Sequence, residues 1–550
     1  MTVFLLLLMP AAMLWDRDET YYARAAVEML ETGNWLVPAF NGEVFAHKPP
    51  LAYWLMAASF SVFGENEFAA RFVSAPAMGI SLFLTFLIGR RLFSPRAGFV
   101  AMIALGLSVM TIYLGSAAML DAVLLASICL SAWAWAELHA GDRRFWLFGS
   151  LFGIGIALSM LAKGPVGPAV IIPLVFFSWV FSPAATRPAF RHMVGLALIS
   201  IVALGIFLGW AVPANLASGG EMLRIGLGKH VIGRAFQAME GHGGSGWKGY
   251  LASLLVYVPV ILIGFFPWTI TLPAALSGFW RGLIGDRQAR LFVWSWLVPT
   301  FVMFTLAATK LPHYILPAFP ALALMAGAVA ASPETVLREK RLSFWLQTGF
   351  WLNVAFTLAT IGGVLALPAL TGKAIGWPLA MAFAALLLAG LALVRRVQNR
   401  AGLFTGAMAQ SAATLVFFLL AFWLLVPPAE PLIKLARPLG LAIGQAAAPA
   451  DAVYADGYSE PGMVFYASLP ASQPIRALPG DDAALAALLE APPAMVLIAE
   501  ESRFARINDL AGTRPFAIIG QFEARNPNAG MRNQKILLAK RAAIAANNGG

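Results

Sequence analysis

Long apolar runs, broken at short intervals by clusters of arginine, lysine, glycine and proline, fill roughly the first 430 residues. About thirteen of them are long enough to cross, or nearly cross, a hydrocarbon core about 30 Å thick. They lie near 1–14, 72–90, 97–117, 122–138, 145–162, 165–182, 193–213, 250–272, 291–308, 312–331, 343–367, 375–394 and 406–426. The first is short, and without a basic flank it reads as a membrane segment and not as a cleaved signal peptide. In the polar interval 15–71, Thr20–Glu31 has the period of an amphipathic helix, with Asp16 or Asp18 as cap and Gly33 as stop. Leu51–Phe63 is apolar but too short to span, so it is expected in the interface plane with Tyr53 and Trp54 at headgroup depth. From about residue 440 the pattern changes. Residues 451–457 (DAVYADG) and 494–499 (AMVLIA) read as strands, 500–511 as a helix, and 515–524 and 535–540 as further strands. That alternation predicts a small α/β domain, with the final AAIAANNGG as a frayed end.

Composition sharpens this picture. Of 550 residues, 60% are hydrophobic and 12% charged, where a soluble chain is nearer half and a quarter. An ordinary soluble domain, a disordered chain and a fibre are excluded, and the chain is expected to be a polytopic α-helical membrane protein with a small C-terminal α/β domain. The net charge of +11 would otherwise suggest a nucleic-acid partner. Instead the cations sit in short loops of one parity: Arg90, Arg91 and Arg96; Arg143 and Arg144; Arg187 and Arg191; Arg281, Arg287 and Arg290; Arg338, Lys340 and Arg341; Arg395, Arg396 and Arg400. Basic short loops stay in the cytoplasm, so no nucleic acid is expected, and the segments 15–71 and 214–249 and the tail face outward. The expected domains are 1–430, containing both outer loops, and 431–550 outside the membrane. The single cysteine, Cys129, excludes an intramolecular disulfide and a cysteine metal site.

Ionisable groups are costly near a bilayer, so those at outer helix ends are the candidates for chemistry. Asp18 and Glu19 follow the first span; they suit a helix start, and equally a general base at the membrane surface. Lys48, in His47-Lys48-Pro49-Pro50, either snorkels to lipid or clamps a phosphate. Asp121, Lys163 and Lys310 lie at outer span ends, where they either pair between helices or share a polar cavity. His230 and Arg234 fall on one helical face, with His242 further on; a single histidine is more often a structural group than a metal ligand, and no HExxH spacing occurs. Together, carboxylates (Asp18, Glu19, Asp121) and cations (Lys48, Lys163, Arg234, Lys310) at one face suit a lipid-anchored anion. The cations would hold its phosphate and stabilise it as a leaving group, and a carboxylate would deprotonate an attacking hydroxyl. Spacing alone leaves group transfer and a non-enzymatic polyprenyl-lipid flippase or transporter both open. Transporters tend to show repeated halves or helices broken at mid-membrane, and neither is evident here.

The run DRDETYYARAAVEMLETGNWLVPAFNGEVFAHKPPLAYWL resembles the first outer loop of the lipid A aminoarabinose transferase family (ArnT-like), GT-C glycosyltransferases related to protein O-mannosyltransferases. The resemblance continues in AAMLDAVLLA, LAKGPVGPAV, HVIGRAF, FFPW and KLPHYILP, and covers roughly 15–330. It implies a GT-C fold in a bacterial inner membrane, with the active site facing the periplasm. It also implies transfer of a sugar, with inversion, from a polyprenyl-phosphate donor to lipid A or another envelope acceptor; a protein acceptor is the alternative. By resemblance Asp18 matches the essential aspartate and candidate base, Asp121 the second aspartate, and Lys48 and Arg234 groups at the donor phosphate. His230 matches a histidine that, with an acidic residue before the Lys-Pro lysine, can hold a divalent metal such as zinc or magnesium. In this chain that acidic position is His47, itself a possible zinc ligand, and Arg24 also stands where those enzymes carry glutamate. The resemblance therefore points to the class of reaction and leaves the sugar open.

Overall fold

The computed structural model describes residues 1–15, 17–141, 144–237, 246–332, 338–372, 374–490, 494–512 and 514–541. Asp16, Arg143, His242 and the terminal AAIAANNGG fall outside them.

Among the described residues ten helices are long and apolar enough to cross a membrane: Glu67–Leu92, Asp121–His139, Phe145–Lys163, Phe190–Ala217, Gly246–Gly264, Arg287–Leu306, Pro312–Ala330, Lys340–Leu370, Trp377–Arg400 and Met408–Leu432. An eleventh is broken, with Pro95–Gly106 and Val109–Gly115 meeting at 65°. The break falls where the Val109 N–H leaves its own helix to donate to the Phe266 carbonyl at 3.0 Å. The remaining two of the thirteen expected segments are short. Val166–Phe181 has 16 residues, about 24 Å of helix against a 30 Å core. The first run is a helix only over Thr2–Leu8, closed by a turn at Met9–Ala11 that contains Pro10.

Small residues let these helices approach closely. Helices Ser74–Leu92, Pro95–Gly106 and Phe319–Ala330 pack together. At Gly327 an added Cβ would lie 2.2 Å from the Ala97 carbonyl oxygen, so only glycine fits there.

The chain divides into two compact units: Met1–Met9, Ala46–Ala52 and Arg71–Trp423 form the first, and Pro10–Phe45, Tyr53–Ala70 and Leu424–Gly550 the second. This differs from the expected boundary at 430/431, because most of the outer segment 15–71 groups with the tail. The physical cause is a set of long-range bonds within the second unit. The helix Asp18–Thr32 packs on the helix Pro461–Ala467. From it the buried Arg24 donates to the Leu469 carbonyl at 2.8 Å while its other nitrogens pair with Glu28 and Glu31. Asn41 both accepts from and donates to the backbone of Ile475, at 2.9 and 2.8 Å. The helix ends as expected at Gly33, in the left-handed region. Its cap, however, is Arg17, and Asp18 occupies the first helical turn without a capping bond.

Leu51–Phe63 is one helix, as expected. Tyr53 does not face lipid. It is fully buried in the second unit, 5.9 Å from the Tyr22 ring and 6.3 Å from Phe45.

The second unit holds two sheets. β1 (Ala39–Phe40) and β2 (Glu43–Val44) form a small hairpin. β3 (Ala452–Asp456), β4 (Ile475–Ala477), β5 (Met495–Glu500), β6 (Ala517–Asn526) and β7 (Arg532–Arg541) form a sheet in the order β4-β3-β5-β7-β6. β3 is parallel to β4 and β5, and β7 is antiparallel to β5 and β6. Side chains alternate between faces: Val453, Val496, Ile498 and Leu538 pack with Leu439 and Ile443, whereas Tyr454, Leu497 and Leu537 pack with Leu489 and Ile507 on the other side. The predicted strands and the helix Glu501–Leu510 are present. The edge strand β4 and the helices Pro461–Ala467 and Asp482–Glu490 were not foreseen.

Candidate functional site

The first unit contains a cavity of roughly 690 Å³. Six of the residues singled out above line it: His47, Lys48, Asp121, Lys163, His230 and Arg234. Most of the remaining wall is apolar, with Leu124, Met160, Phe207 and Trp210 among it.

Helix ends supply the charges. Asp121 is the first residue of Asp121–His139 and Lys163 the last of the neighbouring Phe145–Lys163, which stops at Gly164 in a positive-φ conformation. The two ends meet, with Lys163 Nζ 2.8 Å from Asp121 Oδ1, and both side chains are almost wholly buried. In so dry a setting the pair attracts strongly, and loss of either partner would strand a charge. The Lys163 ammonium also lies 5.1 Å from the centroid of the Tyr314 ring. The Tyr314 hydroxyl accepts from Arg234 Nη1 at 2.6 Å. Arg234 follows a widened π-type helix, Met222–Gly233. Its backbone is fixed by the strap before Tyr314: the Thr309 N–H donates to the Arg234 carbonyl at 3.0 Å, and the Thr309 hydroxyl to the Gln237 carbonyl at 2.8 Å.

The two histidines form a pair, with ring centroids 4.2 Å apart. His230 is buried, and neither ring nitrogen has a hydrogen-bond partner among the described residues. Burial, then the positive charges of Lys48, Arg234 and Lys229, push the His47 pKa down to about 4. The same influences hold His230 well below the ordinary imidazole range. Both rings are therefore neutral at pH 7 and offer lone pairs. Two imidazoles fall short of the three protein ligands of a catalytic zinc site. Among the described residues no group of three His, Cys, Asp or Glu forms a metal cluster.

The other three candidates lie elsewhere. Lys310 is not part of the cavity wall; its ammonium turns back to the Ala307 carbonyl at 2.7 Å, 4.8 Å from the Tyr250 ring centroid. Burial lowers its pKa. Asp18 and Glu19 belong to the second unit. There Asp18 is exposed and accepts from the Tyr22 hydroxyl at 3.5 Å. The buried Glu19 accepts from the Trp15 N–H at 2.6 Å. Sequence reasoning left Tyr314 out of the candidate set, although it lies in the KLPHYILP run; in a chain this rich in aromatics, one more tyrosine carries no signal.

Residues 47–212 match the dolichyl-phosphate-mannose-protein mannosyltransferase family. Over 329 residues the chain is 33% identical to an undecaprenyl phosphate-alpha-4-amino-4-deoxy-L-arabinose arabinosyl transferase of Edwardsiella ictaluri, covering 58% of this chain and 56% of that one. A protein of the same description from Aeromonas salmonicida is 30% identical over 386 residues, 67% of this chain and 64% of its own length. The chain thus spans less than two thirds of these curated relatives. The crystal structure of ArnT from Cupriavidus metallidurans bound to undecaprenyl phosphate superposes with a TM-score of 0.76, covering 100% of this chain and 97% of that one at 19% identity. The fold is that of the ArnT structure, a multi-pass helical membrane fold. In sequence the chain is similar to the arabinosyl transferases named above.

Proposed function

We propose that the chain is a glycosyltransferase that moves a sugar, with inversion, from a polyprenyl-phosphate donor to a lipid A-like lipid of the outer leaflet or another periplasmic acceptor. The observation that carries this reading is the gathering of Lys48, Lys163 and Arg234 with two neutral histidines in one largely apolar cavity. Such a wall accommodates an isoprenoid phosphate: apolar surface for the chain, cations for the anion. Relatives described as arabinosyl transferases of an undecaprenyl-phosphate sugar support the same donor class. The basic loops support a bacterial inner membrane with the cavity toward the periplasm.

In the reaction the bond between the sugar C1 and the phosphate oxygen breaks, and its electron pair leaves with polyprenyl phosphate. Lys48 and Arg234 stabilise the charge that grows there. The acceptor hydroxyl oxygen attacks C1 from the opposite face and gives up its proton to a general base, for which the resemblance offers Asp18 as the candidate, with Glu19 next to it in sequence. Asp121 holds Lys163 in place. Zinc or magnesium is a candidate only where the donor's own oxygens complete the ligand set around His47 and His230, and chelator sensitivity of transfer tests it.

The test is a transfer assay with a panel of polyprenyl-phosphate sugars, read by mass spectrometry of extracted lipids and of secreted proteins. Asp18→Asn is expected to abolish transfer while the protein stays folded and inserted; normal transfer would remove Asp18 as the base. Glycosylated protein in place of lipid would favour the acceptor class suggested by the mannosyltransferase match. Movement of labelled donor across liposomes without transfer would replace the enzyme reading with a transporter.

A further inference from the structure

A second concavity of about 540 Å³ lies in the same compact unit. It shares two helices with the charged cavity. Val166–Phe181 and Arg287–Leu306 pack on each other; their Val166 and Met303 ends line the first cavity, and their Phe181 and Arg287 ends line the second. At 1.5 Å per residue Val166 and Phe181, like Met303 and Arg287, are roughly 22–24 Å apart along these helices, while the walls come within about 6 Å of each other at Pro299 and Met303. The cationic end of the second concavity, at Arg287 and Arg290, therefore lies most of a hydrocarbon core away from the charged cavity, at the end bearing the basic loops.

Its composition is that of a headgroup boundary. The floor is aromatic, with Phe177 and Phe181 stacked at 6.1 Å and Trp280 and Trp294 edge-to-face at 6.4 Å. Trp280 is 82% exposed, a position that suits an indole at a lipid interface and little else. The rim is cationic. Among the described residues the Arg287 guanidinium has no hydrogen bond or ion pair, and Arg290 donates only to the carbonyls of Gly282 and Gly285, which leave its charge uncancelled. Asp286 is committed to the helix start, accepting from the Ala289 N–H at 2.7 Å.

We propose that this groove binds an anionic phospholipid of the inner leaflet, its acyl chain along Phe177, Phe181 and Val298 and its phosphate at Arg287 and Arg290. Basic pockets between spans on the cytoplasmic side recognise anionic headgroups. A zwitterionic lipid would bring a compensating ammonium to the same two arginines and gain less.

The experiment uses the full-length protein, phosphatidylglycerol and phosphatidylcholine of identical acyl chains, and native mass spectrometry to count retained lipid. The wild type is expected to retain phosphatidylglycerol in preference. Arg287→Gln and Arg290→Gln are each expected to lower that retention about fivefold, from about 1 kcal/mol per basic residue, while leaving phosphatidylcholine unchanged. Equal retention of the two lipids by the wild type, or wild-type retention by the double variant, overturns the proposal. Arg290→Gln also removes two loop bonds; if it does not fold, Arg287→Gln decides alone. The readout is independent of sugar transfer, so failure here leaves the proposed activity untouched.

Discussion

At the scale of single residues the Asp121–Lys163 pair sets a test that separates structure from chemistry. Its two charges are buried at 2.8 Å. Asp121→Asn leaves an uncompensated ammonium and Lys163→Met an uncompensated carboxylate, each expected to cost about 3–5 kcal/mol. The double variant should recover much of that stability in thermal unfolding and still fail to transfer sugar; additive losses would mean the two side chains do not act on each other. Tyr314→Phe keeps the ring under Lys163 and removes only the acceptor of Arg234 Nη1. The hydrogen bond to a charged group is worth about 1.5–3 kcal/mol, so a roughly tenfold or greater fall in kcat with folding retained is expected from steady-state kinetics. Unchanged kcat would show that the bond to Tyr314 does not position Arg234 for the reaction. These residues were unequally legible. Charges such as Lys48, Asp121, Lys163 and Arg234 stand out because a lipid-facing chain tolerates few of them. The same signal overstates Lys310, because a charge in sequence does not say where a flexible stem points. It misses Tyr314, whose contact with Arg234 spans 80 positions.

At the scale of elements, apolar length decided what could be read. Runs near twenty residues became spans, while the break at 107–108 was hidden because a single serine, Ser108, in an apolar run is a weak stop signal and the bond of the Val109 N–H to the Phe266 carbonyl is tertiary. In the tail, β5 announced itself through five consecutive buried apolar or small positions, Met495–Ala499, whereas β4, three residues long, is too short to show a period. Close helix packing makes a prediction here. Gly327→Ala pushes a Cβ into the backbone of Ala97 and Ala101, so the helix Phe319–Ala330 must shift away from Pro95–Gly106. A loss of about 1–3 kcal/mol is expected. Gly362→Ala, in the helix Lys340–Leu370 with nothing within 4 Å of the new atom, should cost nothing. Thermal melts of the two variants in the same detergent check the contrast, and equal stability would remove backbone contact as the reason for glycine at 327.

At the scale of the whole molecule, the division into units means that the tail is not an appendage. The chain passes between them at 9/10, 45/46, 52/53, 70/71 and 423/424, so the second unit is assembled from segments far apart in sequence. Within it Glu430 accepts from the Met13 N–H at 3.0 Å, the Leu14 N–H donates to the Tyr466 hydroxyl at 2.8 Å, and Arg24 satisfies the Leu469 carbonyl. Composition separates the tail from the spans but carries no trace of these pairings, which is why a cut at 430 looked natural in the sequence. Ending the chain after Trp423 would remove the Leu469 carbonyl from Arg24 and both bonds between Asn41 and Ile475. The buried guanidinium would keep Glu28 and Glu31 but lose its carbonyl, and the segment Pro10–Phe45 would expose the apolar face now packed on the tail helix. Limited proteolysis of the truncated protein is therefore expected to cleave within 10–45 well before any cut appears in the full chain. Co-expression of 424–550 as a separate polypeptide should restore protection, since the bonds are non-covalent. Equal resistance of truncated and full-length protein would show that the outer segment folds without the tail, and the unit would then be two domains in contact rather than one.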